Sequence, residues 1–367
     1  MGRTSPFIFD GPLPPDEVTG RDDELATLTD RAAHGRFVLL HAPRRYGKTS
    51  LVGRLAADAE RTGDLAVVRA DLEGVLTIDD IARRLHHAYR QLPSGALSRT
   101  LHRALDGLGA VGFSAGAAGI RLAPRPPAEA TPVLERLLDL PYEAAARVGV
   151  RILVVLDEFQ AIGAVANADA VLRSRIQHQR DRVSYLFCGS EQSLLRTIFA
   201  ERARPLFGQA EQIALGPLPP DVAADFVADR FEATRRQPGE ALAALVALTA
   251  GHPQRVAFLA DALWQLTDKG DTADLAVWAG ALDRALSRSA AEFTALESGL
   301  EPGQRKMARV LAAGEPPTGA FAARLGLSKG GARGALTALV DRGHAHDVDG
   351  TIRLVDPLYA EWVRRRS

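Results

Sequence analysis

The segment at residues 42–50 constrains this chain more than any other feature. It fits the phosphate-binding loop pattern G-x-x-x-x-G-K-[ST] at every fixed position except the first, which is Ala. An apolar run precedes the segment and a helix-compatible run follows it, an order that points backbone N–H groups at phosphate oxygens. The sequence therefore predicts a phosphate-binding loop rather than a chance Gly-Lys-Thr turn. Its residues are Ala42, Pro43, Arg44, Arg45, Tyr46, Gly47, Lys48, Thr49 and Ser50.

Each fixed residue of the loop has a predicted role. Gly47 lets the backbone approach phosphates closely, Lys48 places a charge on the β- and γ-phosphates, and the Thr49 hydroxyl is a ligand for Mg²⁺. Only four of the 45 basic residues are lysines, so the Lys at this position is not explained by a high lysine content. Ala42 is the weak point, because Ala costs about 1 kcal/mol if that position requires a positive φ.

Composition indicates an ordinary globular protein. The 367 residues suffice for two or three domains, and the formal net charge is zero, so no overall field attracts nucleic acid. Residues 300–367 are mildly basic, with 11 basic against 7 acidic residues.

The single cysteine, Cys188, excludes an intramolecular disulfide and is expected to be buried and inert. We find no signal-peptide pattern or membrane-spanning run, and we expect a cytoplasmic protein.

The apolar pattern predicts an α/β nucleotide domain with a parallel five-stranded sheet. Strands are expected near residues 36–41, 65–71, 151–156, 184–188 and 212–215, with helices between them. Beyond residue 217 only helices are predicted, to about residue 286. We therefore expect an extended lead-in (1–17), a nucleotide domain (18–217), a helical lid (218–300) and a small C-terminal domain (301–367). The Gly/Ala-rich stretch at 110–127 is either a hairpin or an ordered insertion.

A second motif is an apolar strand that ends in Asp157 and Glu158. At a strand's carboxyl end Asp157 can hold the Mg²⁺ shell, and Glu158 can orient and polarise an attacking water. The alternative is a strand that simply ends in acidic loop residues. A pair of carboxylates favours hydrolysis over binding alone.

Other candidate residues each have a plain alternative. Ser190, after the next strand, contacts a γ-phosphate or water, or belongs to an ordinary turn. Arg202 and Arg204 either reach a neighbouring subunit's nucleotide or are surface residues that favour solubility.

The turn with His252, Pro253 and Arg255 has two interpretations. It either closes over the nucleotide, with His252 or Arg255 sensing the γ-phosphate, or it only caps the helix that follows. The pairs at 86–87 and 344/346 are read as surface or packing histidines.

These motifs together resemble the archaeal-type P-loop ATPases, near the STAND and replication-initiator branches of the AAA+ group. The resemblance covers about residues 15–265 and is carried by Thr19-Gly20-Arg21 with Glu24-Leu25, the loop from Pro43 to Leu51, Leu156-Asp157-Glu158-Phe159-Gln160 and Cys188-Gly189-Ser190. It implies an AAA+-like fold with an appended winged helix, and ATP or ADP with Mg²⁺ as cofactors.

The resemblance also implies roles for particular residues. Adenine is expected near Val18, Gly20 and Arg21, the triphosphate and Mg²⁺ on Lys48, Thr49 and Asp157, and Glu158 as the hydrolytic base. Ser190 corresponds to the first sensor, and the turn Gly251-His252-Pro253 to the lid contact of STAND proteins. Two departures are Ala42 for the usual first Gly and Gln209, where relatives often carry Arg, which puts an arginine finger there in doubt.

Residues 302–367 predict a winged helix-turn-helix. Helices are expected at 304–313, 320–325 and 330–342, with Ser328 as the N-cap of the third, and a hairpin wing at 345–348 and 351–355 turning at Asp349-Gly350. Lys329 and Arg333 lie one turn apart and face either duplex DNA or a protein partner. Gly330, Gly331 and Gly334 weaken that helix.

The sequence thus favours a slow Mg²⁺-dependent ATPase that acts as a switch and relays its nucleotide state to the C-terminal domain. The alternative is a weakly hydrolysing, nucleotide-gated scaffold that acts through a protein partner or homo-oligomer. A third reading is a DNA-loading or transposition helper.

Overall fold

A computed structural model describes residues 5–109, 127–348 and 350–366. Residues 110–126 of the stretch predicted as a hairpin or insertion, and Asp349 of the predicted hairpin turn, lie outside the described residues. The chain divides into two compact units. The sheet unit comprises residues 22–42 and 51–215, and the loop-and-lid unit comprises residues 5–21, 43–50 and 216–366.

The sheet unit is built on five parallel strands in the order β2-β3-β4-β1-β5. The strands are β1 (Val38–His41), β2 (Leu65–Asp71), β3 (Arg151–Asp157), β4 (Val183–Gly189) and β5 (Glu211–Ala214). Every residue of β4, the middle strand, is buried, as its continuous apolar run requires. The predicted five-stranded parallel α/β sheet is therefore confirmed, and the predicted strand ends differ by two residues at most.

Helices on the sheet complete this unit. They are α1 (Asp22–Ala33), α2 (Lys48–Thr62), whose first turn belongs to the loop-and-lid unit, α3 (Ile78–Arg90), α4 (Ala96–Gly109), α5 (Pro127–Val148), α6 (Ala168–Ile176) and α7 (Gln192–Ala200). Thr77 and Asp80 form a capping box at the start of α3. Phe37, Phe159 and Phe187 pack with other aromatic rings in the core, and Cys188 is buried as expected.

The loop-and-lid unit is mainly helical. Its helices are α8 (Pro220–Ala233), α9 (Ala241–Thr249), α10 (Pro253–Leu266), α11 (Leu275–Gly299), α12 (Pro302–Ala312), α13 (Ala320–Arg324), α14 (Lys329–Asp341) and α15 (Pro357–Arg365). Helix α11 runs past residue 286, where the helical prediction stopped, because Ser289 and Phe293 continue its buried face. Phe7 of the predicted lead-in packs against Phe226 and Phe231 in this core.

The C-terminal elements follow the order of a winged helix-turn-helix. Helices α12, α13 and α14 precede the antiparallel hairpin of β6 (Ala345–Val348) and β7 (Thr351–Leu354). The Ser328 hydroxyl accepts a hydrogen bond from the Gly331 N–H at 3.1 Å, so Ser328 caps α14 as expected. Helix α15 then packs Tyr359 and Trp362 against Phe293. No helix among the described residues combines the length and the hydropathy needed to cross a bilayer.

Gly251, in the turn before α10, is required by backbone geometry. Its φ is 74°, and a Cβ at this position would lie 2.1 Å from the Leu218 carbonyl oxygen.

We expect Gly251→Ala to lower the free energy of unfolding by roughly 2 kcal/mol or more. Gly334→Ala is the matched control, because Gly334 lies in α14 with open space around it, and it should stabilise by about 0.5–1 kcal/mol. Urea titration measures both, and equal effects would contradict this account.

Candidate functional site

The phosphate loop connects β1 to α2, as the sequence predicted. Two loop residues have positive φ, Arg45 at 69° and Gly47 at 88°. Ala42 is not among the positive-φ residues of the described chain, so the expected conformational cost of replacing the first Gly does not arise. Lys48 begins α2, is buried, and donates from Nζ to the Pro43 carbonyl oxygen at 3.3 Å. The loop is thus closed on itself at a helix N-terminus.

The segment before α1 is held close to the lid helices. Gly20 has a φ of 66°, and a Cβ there would lie 2.4 Å from Val222 of α8. The Arg21 guanidinium donates to the Gly216 carbonyl oxygen at 2.7 Å, and Val18 is buried. An adenine contact at Val18, Gly20 and Arg21 stays a prediction. The Ser50 hydroxyl, which was predicted to bind the cofactor, accepts a hydrogen bond from Leu13 N–H at 2.9 Å.

The phosphate loop contacts both the lid and the C-terminal hairpin through Tyr46. The Tyr46 ring lies 4.9 Å from the His252 ring and 5.9 Å from the His346 ring, both in edge-on geometry. Burial, together with the nearby charge of Asp356, raises the pKa of Tyr46 to about 12. A neutral, enclosed phenol therefore joins the loop to two later elements of the same unit.

His252 is a structural cap in the turn before α10. Its Nδ1 accepts a hydrogen bond from the Arg255 N–H at 3.4 Å, with Pro253 following at the first helical position. Because Nδ1 is the acceptor, the neutral ring carries its proton on Nε2. Burial lowers the pKa of His252 to about 4, against the opposing charge of Asp356. The turn therefore caps α10, as one of its two interpretations expected. A nucleotide contact by His252 or Pro253 stays a prediction.

Arg255 forms a buried ion pair with the C-terminal module. Its side chain is 2% exposed and binds Asp356 with two hydrogen bonds, the Nε to Oδ1 distance being 2.9 Å. Burial works to raise the pKa of Asp356, but the hydrogen bonds and charge of Arg255 outweigh it and leave that pKa below its ordinary value. Glu292 of α11 lies 3.9 Å from Arg255 and 2.9 Å from Arg45 of the loop. A γ-phosphate contact by Arg255 stays a prediction, and it requires competition with Asp356.

In the sheet unit, the second motif lies at the carboxyl ends of neighbouring strands. Asp157 ends β3, Gly189 ends β4, and Ala42 N–H reaches the Gly189 carbonyl oxygen at 3.4 Å. Glu158 follows in the left-handed region with a φ of 49°, and its N–H donates to Asp157 Oδ1 at 3.0 Å. The Ser190 hydroxyl donates to Glu158 Oε2 at 3.3 Å. The structure therefore brings Asp157, Glu158 and Ser190 together.

The two candidate arginines before β5 have different surroundings. Arg204 forms an ion pair with the nearly buried Asp169 at 3.4 Å. Arg202, in contrast, is exposed. The backbone carbonyl of Gln209 accepts from Arg180 at 3.2 Å. An arginine finger at Arg202 or Arg204 stays a prediction.

Sequence reasoning missed two residues of these sites. Asp356 precedes Pro357, a pattern typical of a helix start, and it does cap α15 by accepting from Leu358 N–H at 3.0 Å. Its pairing with Arg255 had no local signal. Gln160 was noted only as part of a motif, although its amide donates to Glu158 Oε2.

The comparisons with known proteins agree with this geometry. Residues 17–187 match a family model described as an AAA ATPase domain, which contains both motifs up to β4. No protein of curated function matches the sequence. Residues 17–187 are therefore similar to an AAA ATPase domain, and the predicted resemblance to P-loop ATPases is confirmed.

Solved structures show the same fold over nearly the whole chain. A Walker-type ATPase of Pyrococcus abyssi has a TM-score of 0.71 at 16% identity, covering 98% of this chain and 99% of its own. The Aeropyrum pernix ORC2 protein, solved in ADPNP-ADP complexes, has a TM-score of 0.58 at 17% identity, with coverages of 97% and 95%. The Aeropyrum pernix ORC1 protein, solved in complex with DNA, has a TM-score of 0.51 at 15% identity, with coverages of 95% and 93%. The chain thus shares its fold with these three proteins.

Neutralising Asp356 should destabilise the loop-and-lid unit. In Asp356→Asn the amide still caps α15, but the buried Arg255 loses its counter-charge, and we expect a loss of about 3–5 kcal/mol in the free energy of unfolding. Asp274→Asn is the matched control, since Asp274 caps α11 through Ala276 and Val277 N–H groups at an exposed site. That variant should change stability by less than about 0.5 kcal/mol. Denaturant unfolding distinguishes the two, and equal losses would argue against the ion pair.

Acid should destabilise the protein through His252. The unfolded histidine binds a proton near pH 6.5, whereas in the folded state the pKa of His252 is about 4, so stability is complete above pH 6.5 and falls as pH drops towards 4. Between pH 7 and pH 5 we expect a loss of about 2 kcal/mol from this residue. Burial also lowers the pKa of His344 and His346, and both act in the same direction.

The measurement is urea unfolding at both pH values for the wild type and His252→Gln. In the variant, the free energy of unfolding should change between the two pH values only by the amount that other titratable groups cause. An unchanged pH dependence in the variant would show that His252 titrates normally.

Proposed function

We propose that this protein is a Mg²⁺-dependent ATPase that works as a switch and relays its nucleotide state from the phosphate loop to the C-terminal winged-helix module. The contact of Tyr46 with both His252 and His346 carries this proposal. Because those residues belong to the loop, the lid turn and the hairpin, a ligand that moves the loop acts on all three. The resemblance to nucleotide-bound initiator ATPases supports the nucleotide itself.

The loop provides the phosphate-binding groups. Arg45 and Gly47 adopt the positive φ that curves the backbone, and the first turn of α2 supplies N–H donors and the Lys48 charge. On binding, Lys48 Nζ exchanges the Pro43 carbonyl for phosphate oxygens. Thr49 and Asp157 offer the hydroxyl and carboxylate oxygens that Mg²⁺ prefers, and Thr49 is exposed. A bound Mg²⁺ would neutralise charge on the β- and γ-phosphates.

Hydrolysis is assigned to Glu158. Its carboxylate accepts hydrogen bonds on Oε2, and among the described residues nothing donates to Oε1. That oxygen is available to orient a water and to accept its proton, as a general base does. The left-handed backbone at Glu158, uncommon for a residue with a Cβ, is the kind of conformation found at functional sites.

The output surface is the exposed face of α14. Lys329 and Arg333 are exposed, lie one turn apart and form no ion pair within the described residues. Two such cations suit the phosphates of duplex DNA. The protein-partner alternative uses the same face, and the weakly hydrolysing scaffold remains the second candidate because no arginine finger is assigned.

Steady-state ATP hydrolysis with Mg²⁺ tests the enzyme part. Glu158→Gln should lower kcat by roughly 10²- to 10⁴-fold with nucleotide affinity retained, as loss of a general base does. Lys48→Ala should weaken nucleotide binding by about tenfold or more, through loss of charge-assisted hydrogen bonds. A wild type that binds ATP without turnover would favour the scaffold.

Binding of a labelled duplex, measured by anisotropy with ADP and with a slowly hydrolysed ATP analogue, tests the relay. We expect the affinity to differ between the two nucleotides, and the difference to shrink in Tyr46→Ala. Lys329→Ala combined with Arg333→Ala should weaken binding and reduce its salt dependence. No duplex binding in either state would direct the search to a protein partner.

A further inference from the structure

We infer that Gln160 is a positioning residue for the Glu158 carboxylate, an inference that rests on the proposed hydrolytic role of Glu158. The amide nitrogen of Gln160 donates to Glu158 Oε2. The Ser190 hydroxyl donates to the same oxygen at 3.3 Å. Two donors therefore hold Oε2, and Oε1 is the oxygen that remains to accept a proton from water.

Burial and the close approach of Gly189 restrict the position of the Gln160 amide. Gln160 is 6% exposed and follows Glu158 in the short 3₁₀ helix Phe159–Ala164. Its Oε1 lies against the backbone of Gly189, where a Cβ would come within 2.2 Å of that oxygen. The absence of a side chain at Gly189 thus makes room for the amide, at the end of the strand that also positions Ser190.

The oxygen end of this amide does not contribute a hydrogen bond to the fold. Gln160 Oε1 is buried and has no hydrogen-bond partner among the described residues, which is an unfavourable state for an acceptor. A leucine of similar size would remove the unpaired oxygen without opening a cavity. An amide that is costly for folding and contacts the carboxylate is better explained by catalysis than by stability.

Another buried glutamine of the same unit provides a contrast. Gln179 is 4% exposed, donates to the Leu138 carbonyl oxygen at 3.0 Å and accepts from the Tyr185 hydroxyl at 2.9 Å. Both ends of its amide are satisfied within the core, so its role is structural. Gln179→Leu is therefore the matched control for Gln160→Leu.

The test compares ATP turnover, nucleotide affinity and Tm in the full chain. We expect Gln160→Leu to lower kcat by roughly 10- to 100-fold, as loss of one hydrogen bond to a charged group does. Its KM and nucleotide Kd should stay within about twofold of the wild type, because hydrogen bonding to the base does not contribute to ground-state binding, and its Tm should be unchanged or higher. Gln179→Leu should show the reverse, a lower Tm with kcat unchanged.

A double variant separates positioning from a general structural effect. If Gln160 acts through Glu158, adding Gln160→Leu to Glu158→Gln lowers kcat no further. An additional loss of the full size would overturn the inference, as would an increase of kcat in Gln160→Leu alone.

Nitrogen-15 NMR of the Gln160 side-chain amide gives a readout without turnover. Its resonance, assigned by its absence in Gln160→Leu, should move in Glu158→Gln, and an unmoved resonance would overturn the inference. If Glu158→Gln turns over like the wild type, the proposed base is wrong and the inference falls with it. If Glu158→Gln is inactive but Gln160→Leu is normal, only the inference fails.

Discussion

The parallel hydrogen bonding of the sheet is the constraint on which the proposed chemistry depends. Strand β4 pairs with β3 on one side and β1 on the other, so the carboxyl ends of all three strands lie at one edge. Asp157, Ser190 and the start of the phosphate loop at Ala42 follow from this pairing, although far apart in sequence. Glu158 depends on it as well, because its two hydrogen-bond donors come from the 3₁₀ helix after β3 and the turn after β4.

A second constraint is the buried charge of Arg255. A guanidinium that is 2% exposed needs an anionic partner in fixed geometry, and Asp356 supplies it while capping α15. The same unit contains the phosphate loop, whose Tyr46 and Arg45 contact His252 and Glu292. The loop, the turn before α10 and the C-terminal module are therefore joined by specific polar and aromatic contacts, on which the proposed switch depends.

Much of the fold was predictable because its signals are local. Apolar stretches predicted the five strands, with continuous apolar runs in β3 and β4, and Ser328 predicted the start of α14. The errors have physical reasons. Helix α11 was predicted too short because polar residues and alanines dilute the apolar pattern of its far end, where Phe293 and Leu296 are the large apolar residues. The concern about Ala42 was unfounded because the positive φ falls on Arg45 and Gly47. The local sequence of a turn does not show which of its residues adopts the left-handed conformation.

The sequence by itself determined the phosphate loop, the acidic strand end, the order of elements and hence the class of fold, because each is encoded within a few neighbouring residues. Tertiary structure alone decided that Gln160 and Ser190 share one oxygen of Glu158, that Asp356 neutralises Arg255, and that Tyr46 joins two histidines. The physical reason is separation along the chain: Arg255 and Asp356 are 101 residues apart, and only packing of the surrounding helices gives such groups their partners.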